Sequence, residues 1–236
     1  MSSVAIITAR GGSKRIPRKN IKEFLGKPII EYSIEAALKS GVFDEVMVST
    51  EDEEIAEIAR KAGAKVPFMR SAKTSDDHAT SAEVVMEVLE EYKKCGEEFD
   101  YACCIYPTAP FVTAQKLQKA RNILEENNAD TVMPVVKFSF PPQRSVIMEN
   151  GYLKFKWPEH ELTRSQDLEP FFHDAGQFYF IKAGSFWTQK RLLMEKTIPI
   201  EMEEMEVQDI DNLEDWKIAE VKYAVRYGKE PDSSDK

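Results

Sequence analysis

Two short stretches, far apart in the chain, carry the residue types that could do chemistry together. Residues 6–20, "IITARGGSKRIPRKN", run from an apolar stretch through two glycines into a crowd of cations. Residues 10–22 hold Arg10, Lys14, Arg15, Arg18, Lys19 and Lys22 with no acid, while residues 201–215 hold eight acids and no base. Gly11 and Gly12 let backbone N–H groups approach phosphate oxygens, and Arg10, Lys14 and Lys19 add positive charge about the same point. A polyphosphate suits this loop better than a single carboxylate, although a solvated basic turn has the same composition. The spacing is neither G-x-x-x-x-G-K-[ST] nor G-x-G-x-x-G, so the two familiar phosphate loops do not apply. In the acidic stretch, Asp209 and Asp211 stand two residues apart, project to one side of an extended segment, and can share a hard cation such as Mg2+. Asp211 next to Asn212 at a helix start is equally a capping arrangement.

The elements that must position these groups alternate. Short runs rich in Val, Ile and Tyr predict strands at 4–9, 44–50, 65–69, 101–107, 131–137 and 177–182, separated by stretches of helical period. That is the pattern of an α/β fold with a mostly parallel central sheet flanked by helices. Three helical stretches end on Gly41, Gly63 and Gly96, where a C-terminal cap wants positive φ. In the third, Val84, Val85, Val88, Leu89 and Tyr92 share a face opposite Glu87, Glu90 and Glu91, so it should cover a sheet. Another helix should start at Thr113 and the last at Asn212, with Asp215 three residues on as in a capping box. Between about 138 and 172 the alternation fails. Prolines, an Asn-Gly turn signal and aromatics there predict an inserted hairpin or arm, a dimer contact or a lid.

At 236 residues the chain suits one compact domain, expected over 1–228, with a flexible tail at 229–236. A net charge of −9 argues against nucleic acid as a partner, which would need a basic face. No apolar run reaches membrane-spanning length, so no membrane partner is expected. The strand expected from Val4 leaves no room for an export signal. Cys95, Cys103 and Cys104 lack metal-ligand or disulfide-framework spacing and read as reduced, buried thiols of a cytoplasmic protein.

The segment "ITARGGSKRIPRKNIKEFLGKPIIEYSIEAA" resembles the opening of the cytidylyltransferases that activate sialic acids and related sugars. The resemblance continues in order through "VSTEDEEIAEIARKAGA", "FMRSAKTSDDHATS", "YPTAPF" and "VQDIDNLEDW", so it covers nearly the whole chain. It implies a Rossmann-like nucleotidyltransferase fold with a small dimerisation arm, CTP and a nonulosonic acid sugar as substrates, Mg2+ as cofactor and a homodimer. Ala9, Arg10, Gly11, Gly12, Ser13, Lys14, Lys19 and Asn20 would bind the nucleotide, with Arg70, Ala79 and Ser81 at the base. Arg10, Lys14, Lys19 and Asp211 would act on the reacting phosphates, and Asp209 and Asp211 would hold the metal. Read without the resemblance, Asn20 is a turn residue or helix cap, Thr80 and Ser81 are caps, and His78 is an exposed loop histidine.

On the sugar side the sequence departs from the sialic acid pattern. Q-P-T-S-P-L-R is here "YPTAPFV", with Tyr106 for the glutamine and Val112 for the arginine, and R-P-N-G-A-I-Y is here "HDAGQFY". With "TRSQDLEPFFHDAGQFYF", these exchanges resemble the pseudaminic acid cytidylyltransferases, which serve bacterial surface glycosylation, commonly of flagellin. Tyr106, Thr108, Arg164, Gln166, His173, Asp174 and Gln177 are then expected to contact the sugar, and Arg164 to meet its carboxylate. Phe178 and Phe180 read as core. The alternatives are the same reaction on N-acetylneuraminic, legionaminic or 3-deoxy-octulosonic acid, or a non-catalytic nucleotide-binding protein. Gly11, Gly12, Lys14, Lys19, Asp209 and Asp211 are all present, which favours an enzyme.

Overall fold

The computed structural model describes residues 1–228; the tail expected at 229–236 lies outside the described residues. In chain order the elements are β1 (Ser3–Thr8), β2 (Glu23–Phe24), β3 (Lys27–Pro28), α1 (Ile29–Ser40), β4 (Glu45–Ser49), α2 (Glu53–Lys61) and α3 (Ser81–Lys94). β5 (Tyr101–Ile105), α4 (Ala114–Glu126), β6 (Thr131–Lys137), β7 (Val146–Glu149), β8 (Tyr152–Phe155) and β9 (Phe172–Asp174) follow. β10 (Phe178–Lys182), α5 (Ala183–Gln189), β11 (Thr197–Met202) and α6 (Leu213–Tyr227) complete the described chain.

The main sheet runs β11-β6-β10-β5-β1-β4, with β9 added beside β6. β4, β1, β5, β6 and β11 point one way, while β10 lies antiparallel to both β5 and β6, and β9 antiparallel to β6. Strand alternation sorts side chains to two faces: Ala5 and Ile7 pack with Ile30, Ile34, Ala59 and Leu117 on one side, Val4 and Ile6 with Val85, Val88 and Phe186 on the other. Phe178 and Phe180 are fully buried, as expected for core.

Several elements differ from the sequence reading for local reasons. The expected strand at 65–69 shrinks to one bridge between Met47 and Lys65, because Pro67 has no N–H to extend the ladder. The strand expected at 101–107 ends at Ile105, before Pro107. β11 and α5 were not foreseen; β11 carries Pro199 and forms the outer edge. The caps hold. Gly41, Gly63 and Gly96 all have positive φ, and Asn212 and Asp215 form the expected capping box of α6. The segment 138–172 does contain a hairpin, β7–β8, turning on Asn150 and Gly151, both at positive φ. Cys95 is exposed at the end of α3, a correction to three buried thiols; Cys103 and Cys104 are buried. Among the described residues no helix is long and apolar enough to cross a membrane.

A third apolar cluster joins the first loop to the C-terminal region. Ile16 from the first loop, Phe24 from β2 and Phe111 from beyond β5 pack with Ile210 and Trp216 from the C-terminal region. Phe24 meets Trp216 edge-on, with ring centroids 5.6 Å apart. This packing clamps the basic loop to the acidic stretch, although about 190 residues separate them.

Candidate active site

Loops at the C-terminal ends of β1 and β5 and the start of α3 enclose a cleft of about 480 Å3, where open α/β sheets place their ligands. From the first loop it is lined by Arg10, Ser13, Lys14, Arg15, Lys19 and Asn20. Arg70, Ala79 and Ser81 form a second wall, Tyr106 and Thr108 a third, and Asp211 closes the remaining side. Most of the residues expected to bind a nucleotide thus converge on one space. Thr8, Arg15, Asp77, Val84 and Pro107 also line it and were not singled out as site residues. Arg15 lay in the basic run and Asp77 in the quoted "SDDHATS", but composition alone did not say which of several like charges would turn inward.

Arg10, Lys14, Arg15, Arg18 and Lys19 each have an acidic or carbonyl partner, and Lys22 lies over the Trp216 ring. Arg15 Nη2 donates to Asp211 Oδ1 at 2.7 Å, and Lys19 Nζ to the Ile210 carbonyl at 2.7 Å. These two contacts join the basic loop to the D-x-D segment directly. Arg10 Nη1 donates to Asp77 Oδ1 at 2.7 Å, and Lys14 pairs with the other oxygen of Asp77. Burial lowers the Lys19 pKa, while Asp211 and Asp209 oppose that shift. The buried Arg70 donates to Ser49 Oγ at 3.0 Å and to the Ser49 carbonyl at 2.5 Å, which holds its planar fork against the cleft.

Neither Gly11 nor Gly12 has positive φ; Gly11 is required by space, because a Cβ there would lie 2.6 Å from Asp52 Oδ2. Its N–H donates to Glu51 Oε1 at 2.7 Å. Arg18, at φ 55°, pairs with Asp52 and Glu54, and Arg18 holds the Asp52 carboxyl below the usual range. Ala9 is buried beneath the loop, and Asn20 Nδ2 donates to the Arg10 carbonyl at 2.8 Å, bracing the turn. Gly11→Ala should therefore displace the loop at a cost of roughly 1–3 kcal/mol, read as a KM for the loop's polyphosphate ligand raised on the order of tenfold. An unchanged KM would show that the loop absorbs the methyl.

Asp209 lies behind Asp211 and faces a second, smaller cleft of about 260 Å3, shared with His173, Asp174, Glu204 and Lys222. Burial first, and then the neighbouring Asp211, push the Asp209 carboxyl above its ordinary pKa. Two acids so placed are repulsive without a cation. Among the described residues no three metal-ligating side chains converge. The pair fits Mg2+ nonetheless, since that ion takes one or two carboxylates and fills its octahedron with substrate phosphates and water. Of the remaining expected sugar contacts, Asp174 already accepts from the Gly176 N–H and from Tyr179. Gln177 is buried with its amide on the Glu206 carbonyl, 2.6 Å away. Arg164 and Gln166 stand exposed on the arm, Arg164 paired with Asp167, and line neither cleft.

A family profile described as "Cytidylyltransferase" matches residues 4–229. The pseudaminic acid cytidylyltransferase of Campylobacter jejuni subsp. jejuni serotype O:2 is 41% identical over 96% of this chain and 98% of its own. The CMP-N,N'-diacetyllegionaminic acid synthase of Legionella pneumophila is 32% identical over 93% of this chain and 95% of its own. Among solved structures, that of CMP:2-keto-3-deoxy-manno-octonic acid synthetase complexed with CTP superposes with a TM-score of 0.69 at 17% identity. It covers 96% of this chain and 100% of that one, which supports the fold. On sequence matched nearly end to end, the chain belongs to the cytidylyltransferase family.

Proposed function

We propose that this chain transfers CMP from CTP to the anomeric hydroxyl of a nine-carbon 2-keto sugar acid, pseudaminic acid, releasing pyrophosphate, and does so in the cytoplasm. The observation that supports this reading is the Arg15–Asp211 contact, which joins the basic loop to the D-x-D segment, with Asp211 on the first cleft and Asp209 facing the second. The 41% identity to the Campylobacter jejuni enzyme, over 96% of this chain and 98% of that one, supports the choice of sugar.

In the reaction the sugar oxygen bonds to the α-phosphorus, the bridging oxygen to the β-phosphorus departs, and negative charge gathers on the leaving pyrophosphate. Lys14, Lys19 and Arg10 stabilise that charge, and more strongly in the transition state than before it. Ser13 and Asn20 stand beside the phosphates, while Arg70, Ala79 and Ser81 border the base. Asp209 and Asp211 would hold Mg2+, which when bound polarises the phosphate and acidifies the attacking hydroxyl. No protein nucleophile is needed: Cys103 and Cys104 are buried, and burial pushes both thiols up.

The described residues serve here as one domain, and the arm as the contact between two copies. Val146, Ile147, Met148, Tyr152 and Leu153 expose apolar surface on it. Arg164 and Gln166 would then reach the sugar of a second copy's site, and His173 would meet it beside Asp209. Arg164→Ala and His173→Ala should each raise the sugar KM roughly tenfold or more with a smaller change for CTP; the opposite split would remove both from the sugar site. Pyrophosphate release from CTP and Mg2+ should be fastest with pseudaminic acid. Faster release with legionaminic, N-acetylneuraminic or 3-deoxy-octulosonic acid would reassign the sugar.

A further inference from the structure

The two carboxylates of the D-x-D segment are held in different ways. Asp211 stands beside the N-cap of α6, whose capping box fixes it locally. Asp209 instead follows the short turn Glu204–Glu206, which leads out of the edge strand β11. A single turn of this kind has poor internal hydrogen-bond geometry, so its position depends on what else grips it.

Three carbonyls between Glu204 and Val207 are gripped by side chains from distant elements. Lys222 Nζ, well along α6, donates to the Glu204 carbonyl at 3.0 Å and to the Val207 carbonyl at 2.8 Å. Gln177 Nε2, just before β10, donates to the Glu206 carbonyl at 2.6 Å. The Glu206 side chain lies between Lys116 of α4, 3.4 Å away, and Arg226 of α6. Lys222, Glu204 and Val207 line the second cleft together with Asp209.

The energetics of these contacts favour a rigid segment. A cationic donor on a carbonyl makes a stronger bond than a neutral one, and Lys222 spans both ends of the turn with two of them. Gln177 is only 2% exposed and its Oε1 has no hydrogen-bond partner, so the side chain's one polar contact is with this turn. Asp209 is repelled by Asp211, and a loosely held segment would relax by letting the two carboxylates separate.

We propose that Lys222 and Gln177 are positioning residues for the D-x-D pair: by gripping the backbone from Glu204 to Val207 they hold Asp209 at its distance from Asp211, and so set the affinity of the cation site. This rests on the reading that Asp209 and Asp211 share a divalent cation. Each acts through the backbone, two or three residues away from the carboxylate it places.

The test measures Mn2+ binding in the presence of CTP and without sugar acid, by solvent proton relaxation, alongside the melting temperature. Lys222→Met keeps the apolar stem and removes the donors; it should weaken Mn2+ binding roughly ten- to a hundredfold. Lys222→Arg should recover much of that loss, because its fork can serve both carbonyls. Gln177→Met removes the donor together with the unpartnered oxygen, so it should weaken Mn2+ with little change in melting temperature. It carries the test if Lys222→Met fails to fold. Ile34→Val, a small cavity in the main core, reports the effect of lost stability alone and should leave Mn2+ binding unchanged. Mn2+ binding unchanged in both Lys222→Met and Gln177→Met, or lowered no more than by Ile34→Val, would overturn the proposal. Asp209→Asn separates the two levels of argument. If it weakens Mn2+ while the Lys222 and Gln177 variants do not, Asp209 is a ligand and the grip on the turn is irrelevant to it. If it too leaves Mn2+ binding unchanged, Asp209 is not a ligand and both readings fall.

Discussion

Asp211→Asn should lower kcat on the order of a hundred- to a thousandfold, with the deficit largest when Mg2+ is scarce. The substitution is nearly isosteric and its amide oxygen can still accept from Arg15, so the bridge between loop and acidic segment survives. What disappears is one of the two negative charges that would share the cation. The loss should shrink as Mg2+ rises, and Mn2+ titrated in the presence of CTP should bind more weakly by a similar factor. Asp215→Ala is the control. Asp215 Oδ2 accepts from the backbone N–H groups of Asp211 and Asn212, at 2.9 and 3.0 Å. Its loss removes cap bonds worth about 1 kcal/mol and should lower the melting temperature without a Mg2+-dependent term. Asp211→Asn with full activity at limiting Mg2+ would remove the carboxylate from the metal site.

What could be read in advance, and what could not, divides along the range of the forces involved. The capping box at Asn212, the helix ends at Gly41, Gly63 and Gly96, and the Asn150–Gly151 turn are local, set by the conformational needs of a few neighbouring residues. β11 escaped because edge strands need little apolar content and Pro199 argues against a strand interior. The direction of β10 was also invisible, since a buried strand reads the same whichever way it runs. At the site, Lys14, Lys19 and Asp211, singled out by residue type, and Arg70, singled out by the resemblance, all line the first cleft. Gly11 was singled out for letting backbone N–H groups approach phosphate oxygens; its close contact with the Asp52 side chain is a further requirement that no local pattern predicts. The pairing of Arg10 and Lys14 with Asp77 is likewise long-range: two cations of the first loop share one carboxylate from the segment before α3.

Lys19→Met should cost kcat as much as Asp211→Asn, roughly a hundred- to a thousandfold, but with no recovery in excess Mg2+. Methionine keeps the length and apolar stem of lysine and removes only the charge. It also leaves the Ile210 carbonyl without its donor, a loss of about 1–3 kcal/mol of stability if water does not replace it. Lys19→Arg should restore part of the rate, since it returns the charge in a broader, forked shape. The pH dependence gives an independent check on which charge is at work. Burial lowers the Lys19 pKa in the folded protein, so in the window between that depressed value and the ordinary lysine value the unfolded chain binds more protons. Stability from this residue therefore rises with pH across the window. Activity should do the reverse, because the cation proposed to stabilise the leaving pyrophosphate is being lost. Wild type should thus show an alkaline fall in kcat/KM for CTP with no matching fall in melting temperature from this residue, and Lys19→Met should lack that limb. A Lys19→Met variant that retained the limb would assign it to another group, and one that retained the rate would leave Lys14 and Arg10 to hold the phosphates alone.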